Sequence, residues 1–392
     1  MLSERALERR LKRHVYKATQ RYLASCAPGL EQVLVGELRA LGAAEIVAVR
    51  GGAEFSGPLD LLYHGNLWLR TANRLLWRQG DFLAQSYPML FNKAVRLRWE
   101  LMLGFAPAFA VRVSARASRL RHGAKIAETL HSAALEALEP LGLAPALLDD
   151  APLTVHARLF QDRCTLSLDS SGELLFRRGY RQATAKAPIR ETLAAGCLLE
   201  AGWQNFDLIA DPMCGSGTLL LEAAGLAEGT APGLNRSFAF EHFPSFQPSK
   251  WQRLRREARS AAPAHPDLRL VGADHALGAL RALYGNAERA GLRGRLEVMR
   301  GDATSLDYGA LRGSSHRPLI ISNPPYGLRL GEGEVMALYR ALGQRLRETA
   351  KGWNFALISP HARLLETAGL EVGSVTPFEN GGVRVGLYRG RV

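Results

Sequence analysis

FDLIADPMCGSGTLLLEAAGLA, residues 206–227, decides the fold. The apolar run FDLIA has the length of a buried strand and stops at Asp211. A glycine-rich turn follows, and TLLLEAAGLA then has the composition of a helix. Gly215 and Gly217 let the backbone pass close to a ligand, and the helix N-terminus favours the ligand's negative end. No Gly-Lys-Ser/Thr follows, so this is not a P-loop, and the glycines do not complete GxGxxG. Taken alone, such a turn serves plain packing equally well.

Outward from this stretch, from about Lys186 on, the same texture repeats. LRLVGADHA, LEVMRGDATSL, PLIISNPPYG and NFALISP are short apolar strands, each ended by turn residues and most leading into a helical stretch. That alternation predicts a doubly wound sheet of the α/β class, whose ligand lies at the carboxyl ends of the strands. Those ends carry polar groups. Asp274 follows the second strand, where a carboxylate accepts hydrogen bonds from ribose hydroxyls. Asp302 follows the third, where an acceptor meets an adenine amino group. Each acid alone reads more readily as an N-cap or turn residue; three strand ends in register change that balance, because packing does not demand acids at all three.

ISNPPYG, residues 321–327, is the most specific signal. Pro324 and Pro325 fix φ and remove two N–H donors, which frees carbonyls to face a cleft. The Asn323 side-chain oxygen and the Pro324 carbonyl can each accept one N–H of a planar amino group, and Tyr326 offers a flat face to its ring. Holding both N–H groups aims the nitrogen lone pair at an incoming electrophile, which is chiefly positioning.

Upstream, the chain has an α+β pattern. RYLASC reads as a strand, PGLEQVLVGELRALG as a helix, EIVAVRGGAEFSG as a hairpin with a Gly-Gly turn, PLDLLYHGNLWLRTAN as a helix and LLWRQGDFLA as a strand. YPMLFNKAVRLRWELML reads as one helix, AFAVRVSARAS as a strand and GAKIAETLHSAALEALEPLG as a helix. LTVHARLFQDRCTLSLDSSG reads as two strands about a turn at Gln161–Asp162, and LLFRRGYR as one more strand. The opening residues, MLSERALERRLKRHVYK, form either an amphipathic helix or an arm that orders on a partner.

Of the 392 residues, 47% are hydrophobic and 22% charged, an ordinary globular balance that calls for two or three domains. No apolar run is long enough for a membrane span, and the start lacks a secretory apolar stretch, so a cytoplasmic protein is expected. Four cysteines without a CxxC pair, and no histidine set at ligand spacing, argue against disulfides and metal. The net charge of +13 favours a polyanionic partner, and residues 1–21 alone carry +5.

With Asp211, Asp274, Asp302 and NPPY in this order, the sequence resembles the class I S-adenosylmethionine (SAM)-dependent amino-methyltransferases with an [N/D]PP[Y/F] loop. Within them it is similar to the THUMP-domain RNA guanine-N2 methyltransferases, in particular the bacterial type acting on large-subunit ribosomal RNA. The resemblance spans nearly the whole chain after the basic arm, including KAPIRETLAAG, DPMCGSGTLLLEAA and NPPYG. It implies a seven-stranded Rossmann-like methyltransferase domain over 189–392, a linker over 171–188, a THUMP-like RNA-binding domain over 86–170, a ferredoxin-like region over 19–85 and the arm over 1–18. It further implies that Asp211, Met213, Gly215, Gly217 and Thr218 border SAM, and that Arg190, Glu191 and Thr192 cover its methionine part. Asp274 would hold the ribose and Asp302 with Ala303 the adenine, while Asn323, Pro324, Pro325 and Tyr326 would hold the base. Where relatives often have Glu-Arg-Leu after the loop, this chain has Leu328-Arg329-Leu330.

The implied substrate is 23S ribosomal RNA, with tRNA second. The same loop also suits adenine N6, and the same fold a non-catalytic RNA-binding or assembly role. SARASRLRHGAK supplies Arg116, Arg119, Arg121, His122 and Lys125 just before a helix, a set suited to phosphates or to plain solvation. A later insert holds Phe238, Phe240, Phe243, Phe246 and Trp251, then Arg253, Arg255, Arg256 and Arg259. Packing is expected for the phenylalanines and RNA contact for some of the arginines.

Overall fold

The computed structural model describes residues 1–182, 189–326 and 331–392. The chain forms two compact units and passes between them repeatedly. The first takes in Met1–Ser25, Val35–Leu175 and Ser237–Arg256, and the second Cys26–Leu34, Phe176–Arg236 and Glu257–Val392.

The first unit is built on one eight-stranded sheet. Its strands are β1 (Gln20–Ser25), β2 (Ala44–Val49), β3 (Gly52–Gly57), β4 (Arg74–Leu83), β5 (Ala108–Arg116), β6 (Ala146–Leu147), β7 (Thr154–Phe160) and β8 (Arg163–Asp169). They lie in the order β2-β3-β1-β4-β8-β7-β5-β6. β2 and β3 are the expected hairpin, and β7 and β8 turn at Gln161 and Asp162, both at positive φ. β5 runs parallel to β7 because helix Gly123–Leu138 carries the chain back between them, as a parallel pair requires. The two stretches expected as ferredoxin-like and THUMP-like thus contribute to a single sheet, joined where β4 pairs with β8.

The opening residues form helix Glu4–Leu11 and a wider turn through Tyr16, which bury Leu7, Leu11 and Val15 on one side. The insert packs as expected of its aromatics. Phe238, Phe240, Phe243 and Trp251 are buried, and Phe240 lies 5.0 Å edge-on from Trp251 and 4.9 Å from Tyr63. Helix Pro248–Arg259 is tied down by Lys250, whose ammonium reaches Asp60 at 2.7 Å.

Two expectations need correction. YPMLFNKAVRLRWELML is not one helix but two, Tyr87–Ala94 and Trp99–Leu103. The buried Trp99 indole donates to the Ala94 carbonyl at 2.9 Å, which satisfies the first helix's end and turns the chain. LLFRRGYR forms no strand. Arg178 N–H donates to the Phe176 carbonyl at 2.9 Å and Gly179 lies at φ +93°, so the backbone turns here instead of extending, with Tyr180 and Arg178 both reaching Glu222, at 3.0 and 3.5 Å.

The second unit holds a seven-stranded sheet of β9 (Leu208–Asp211), β10 (Arg269–Asp274), β11 (Glu297–Arg300), β12 (Pro318–Ser322), β13 (Asn354–Ser359), β14 (Val372–Asn380) and β15 (Val383–Arg391). The order is β11-β10-β9-β12-β13-β15-β14. The first five are parallel, and β15 inserts antiparallel between β13 and β14, so the sheet is mixed. Helices such as Thr218–Ala227 and Glu332–Thr349 bury residues in two core clusters whose strand residues alternate: Ile209, Leu319 and Ile321 in one, Leu208, Ala210 and Ile320 in the other. That division is what a sheet covered on both sides produces. Chain order reverses between β9 and β12, so the loops after these strands diverge and leave a crevice at their carboxyl ends. Among the described residues, no helix is long and apolar enough to cross a membrane, and no group of acids, histidines and cysteines is arranged to hold a metal.

Candidate active site

The crevice is lined by the turns that follow β9, β10, β11 and β12. After β9 the backbone doubles back: Gly217 N–H donates to the Cys214 carbonyl at 2.8 Å, and Gly215 and Gly217 sit at φ +54° and +85°. Gly217 caps helix Thr218–Ala227, where a side chain would also strike Leu283 Cγ at 2.7 Å. Asp274, at the end of β10, holds this turn from the next strand. Its Oδ2 accepts from Gly215 N–H at 2.9 Å and its Oδ1 from Ala276 N–H at 2.9 Å.

Asp211 is fully enclosed, and its Oδ1 accepts from Ser322 Oγ at 2.7 Å and from Met213 N–H at 3.2 Å. Burial pushes its carboxyl up to about 7; those two hydrogen bonds oppose the rise and nearby Asp274 adds to it. Asp302, by contrast, is exposed. The Thr304 N–H and hydroxyl, at 2.8 and 2.7 Å, hold its carboxyl below the usual range. Ala303 is buried and its carbonyl accepts from Tyr308 Oη at 2.9 Å.

The turn after β12 carries the group with the clearest chemical meaning. Asn323 Oδ1 is buried and has no hydrogen-bond partner among the described residues. A buried amide oxygen left unpaired costs about 1–3 kcal/mol, so the site is shaped for a donor that arrives from outside. Pro324 is buried and Pro325 exposed. Tyr326 is half-buried, and its hydroxyl accepts from Asn380 Nδ2 at 2.9 Å. Leu328-Arg329-Leu330 lies outside the described residues, as do residues 183–188 at the end of the expected linker, with the first three residues of KAPIRETLAAG among them.

Helix Glu191–Glu200 packs beside helix Thr218–Ala227. Thr192 is buried; Arg190 is exposed, its guanidinium 5.1 Å over the Phe176 ring. Glu191 is buried against Arg181 at 3.0 Å, and burial, opposed by that arginine, pushes its carboxyl up to about 7. Its Oε2 is a second buried acceptor with no partner among the described residues.

The residues expected at the cofactor therefore gather around neighbouring strand ends and the adjoining helix of one unit. The arginines expected at RNA belong to the other. Arg116, Arg119, Arg121, His122 and Lys125 are exposed between the end of β5 and the first turn of helix Gly123–Leu138. Arg119 is tethered to Asp162 at 3.5 Å, and the Lys125 ammonium sits 4.5 Å over Tyr87. On helix Pro248–Arg259, Arg253 and Arg256 are exposed and Arg255 lies 5.9 Å over the Trp251 ring. Ser322 and Asn380 were not anticipated. Ser322 adjoins Asn323 and could have been singled out as a polar end to an apolar strand; only the pairing of β14 with β15 brings in Asn380.

A seven-stranded mixed sheet of this order, with acids after three successive parallel strands and Asn-Pro-Pro-Tyr after the next, defines a class I methyltransferase. Two family models match the chain: the RMKL-like methyltransferase domain over residues 178–388 and the RlmL ferredoxin-like domain over residues 21–76. The chain belongs to the RMKL-like methyltransferase family. It is 36% identical over 382 residues to the ribosomal RNA large subunit methyltransferase K/L of Methylococcus capsulatus, a match covering 94% of this chain and 51% of the relative. The chain thus spans about half the length of the curated relatives it matches. Among solved structures, SMU.472 complexed with SAH is 29% identical with a TM-score of 0.87, covering 96% of this chain and 100% of that one. A Listeria monocytogenes protein named a predicted N6-adenine-specific DNA methylase is 28% identical with a TM-score of 0.85, covering 95% and 96%. The chain carries that family's methyltransferase domain, and the SAH in SMU.472 is what SAM becomes once its methyl group has been transferred.

The described residues fit that cofactor. Glu191 Oε2 is an unpaired buried acceptor within the segment expected to cover the methionine part, Gly215 and Gly217 present no side chain of their own on either side of the buried Ser216, and Asp302 keeps an exposed carboxylate held below the usual range.

Proposed function

We propose that this chain methylates the exocyclic N2 amino group of a guanine in large-subunit ribosomal RNA. The observation that carries this is the buried, unpartnered Asn323 Oδ1 in the turn after β12. A guanine N2 group offers two N–H donors on a flat ring. One is accepted by Asn323 Oδ1 and the other by the Pro324 carbonyl, while Tyr326 stacks on the base. With both N–H groups held, the nitrogen lone pair points out of the ring plane, ready for in-line attack. SAM, when bound, supplies an electrophilic methyl group on sulfur. The nitrogen that gains it becomes acidic and releases its proton to water without a dedicated base. A base inside a helix cannot reach this turn, so the target is flipped out or already unpaired.

Within this proposal, 19–85 is the ferredoxin-like region, 86–170 a THUMP-like RNA-binding domain, 171–188 the linker and 189–392 the catalytic domain, after the basic arm of 1–18, in a cytoplasmic protein. Asp274 serves the ribose through lone pairs left over from Gly215 and Ala276, Asp302 and Ala303 serve the adenine, and Arg190, Glu191 and Thr192 serve the methionine part. Arg116, Arg119, Arg121, Lys125, Arg253, Arg255 and Arg256 meet RNA phosphates. The relatives' name supports ribosomal RNA as the substrate.

The test is methyl transfer from labelled SAM to ribosomal RNA and to tRNA, each from cells lacking the protein, followed by nucleoside analysis. N2-methylguanosine in large-subunit RNA is the expected result, lost in Asn323→Ala. The same product in tRNA alone would move the substrate, and N6-methyladenosine would replace the chemistry. No transfer to any RNA or assembly intermediate, with SAM still bound, would leave an RNA-binding or assembly factor.

A further inference from the structure

In the first unit, the β4–β8–β7–β5 part of the sheet has two unlike faces. Helix Gly123–Leu138 begins over Val113, where a methyl group at Gly123 would stand 3.8 Å from Val113 Cβ. On that side Ala157, Leu159, Cys164 and Leu166 are buried. Side chains one position along each strand point to the opposite side. There the strand register sets four residues in one row: Arg116 opposite Phe160, Phe160 opposite Arg163, and Arg163 opposite Leu83. All four are exposed, Phe160 at 43% and Leu83 at 47%. A large aromatic ring on an open strand end, with an arginine on each neighbouring strand, is not explained by the core.

The charges around Phe160 are arranged for an anion. The Arg158 guanidinium, two residues back on β7, lies 5.4 Å from the ring centroid. Arg163 is held by Asp81 at 2.5 Å. Arg116 and Arg158 make no ion pair with a carboxylate among the described residues.

We propose that this open sheet face is a platform for single-stranded RNA, distinct from the loop that carries Arg119, Arg121 and Lys125. An unpaired base stacks on the free side of the Phe160 ring, and the phosphates on either side of it meet Arg116 and Arg158. Duplex RNA does not fit, because its bases already have both faces covered, whereas a single strand leaves them free. A protein partner fits poorly, since the two apolar side chains of the row are separated by Arg163. The inference rests on the chain acting on RNA, but not on which base it methylates.

The experiment measures binding of the full chain to a labelled single-stranded oligonucleotide of mixed sequence, and to the same strand in a duplex, with neither SAM nor turnover involved. Phe160→Ala should weaken single-strand binding by roughly 5- to 150-fold, the range for one stacked base, and leave duplex binding unchanged. Phe160→Trp should restore it. Arg158→Ala should weaken the single strand again. With 4-thiouridine in the strand, the photocross-linked peptide should contain Phe160. An equal loss for duplex and single strand, no loss in Phe160→Ala, no binding of single strands by the wild-type chain, or a cross-link confined to residues 117–125 would each overturn the proposal. Failure of methyl transfer with the Phe160 effect intact would overturn only the catalytic assignment.

Discussion

Asp211 and Ser322 are 111 residues apart in sequence, yet one hydrogen bond of 2.7 Å joins the glycine-rich turn after β9 to the residue before Asn323. The bond explains why a carboxyl with little access to water persists at this strand end, and it has a measurable consequence. Asp211 has its carboxyl raised from an ordinary 3.8 to about 7, chiefly by burial. Between about pH 4 and 7 the folded chain therefore keeps a proton that the unfolded chain has released. Its contribution to stability is whole below that window and is lost as the pH rises through it. The melting temperature of the unliganded chain should fall between pH 5 and 8, and fall less in Asp211→Asn; equal falls would mean that Asp211 ionises freely. Tyr326 and Asn380 permit a second test at this scale. If Asn380 acts by holding the Tyr326 hydroxyl, Asn380→Ala and Tyr326→Phe should each slow methyl transfer about three- to tenfold, the worth of one hydrogen bond, and the double variant no further. Additive losses would separate the two. Asn323→Ala should cost at least about a hundredfold in kcat, as removal of one preorganised polar group does, with SAM affinity retained.

Among the elements, those whose signal is local were legible in the sequence. FDLIA, LRLVGAD, LEVMR, PLIIS and NFALIS each announce a buried strand by composition and stop at turn residues, so the local pattern alone locates the crevice at their carboxyl ends. The helix Gly123–Leu138 and the hairpins at Gly51–Gly52 and Gln161–Asp162 were legible for the same reason. LLFRRGYR was misread because its alternation mimics a strand, while the partner that draws Arg178 and Tyr180 inward, Glu222, is more than forty residues away. Asn380 and the row at Phe160 were out of reach, since both depend on strand register. The aromatic insert shows what such distant packing contributes. Phe240 is wholly buried among Tyr63, Phe238 and Trp251, so Phe240→Ala should lower stability by about 3–5 kcal/mol, read in urea unfolding followed by tryptophan fluorescence. A loss under about 1 kcal/mol would mean that the insert is not a structural part of the first unit.

For the whole molecule, the net charge of +13 sets the salt dependence expected of the proposed RNA binding. Affinity should fall linearly on a log scale with salt, and replacing Arg119, Arg121 and Lys125 together by alanine should reduce the slope by roughly two to three. An unchanged slope would remove that loop from the phosphate contacts. The path of the chain carries a different consequence, for biosynthesis. Phe238, Phe240 and Trp251 complete the hydrophobic packing of the first unit, but they are encoded after helix Thr218–Ala227 of the second. A ribosome that has translated β1 through β8 has not yet made the side chains that close the unit those strands belong to. The N-terminal half must therefore wait, half-packed, until more than sixty further residues have been added, and a nascent chain stalled near residue 200 should be cleaved by protease where one stalled well past Trp251 is not.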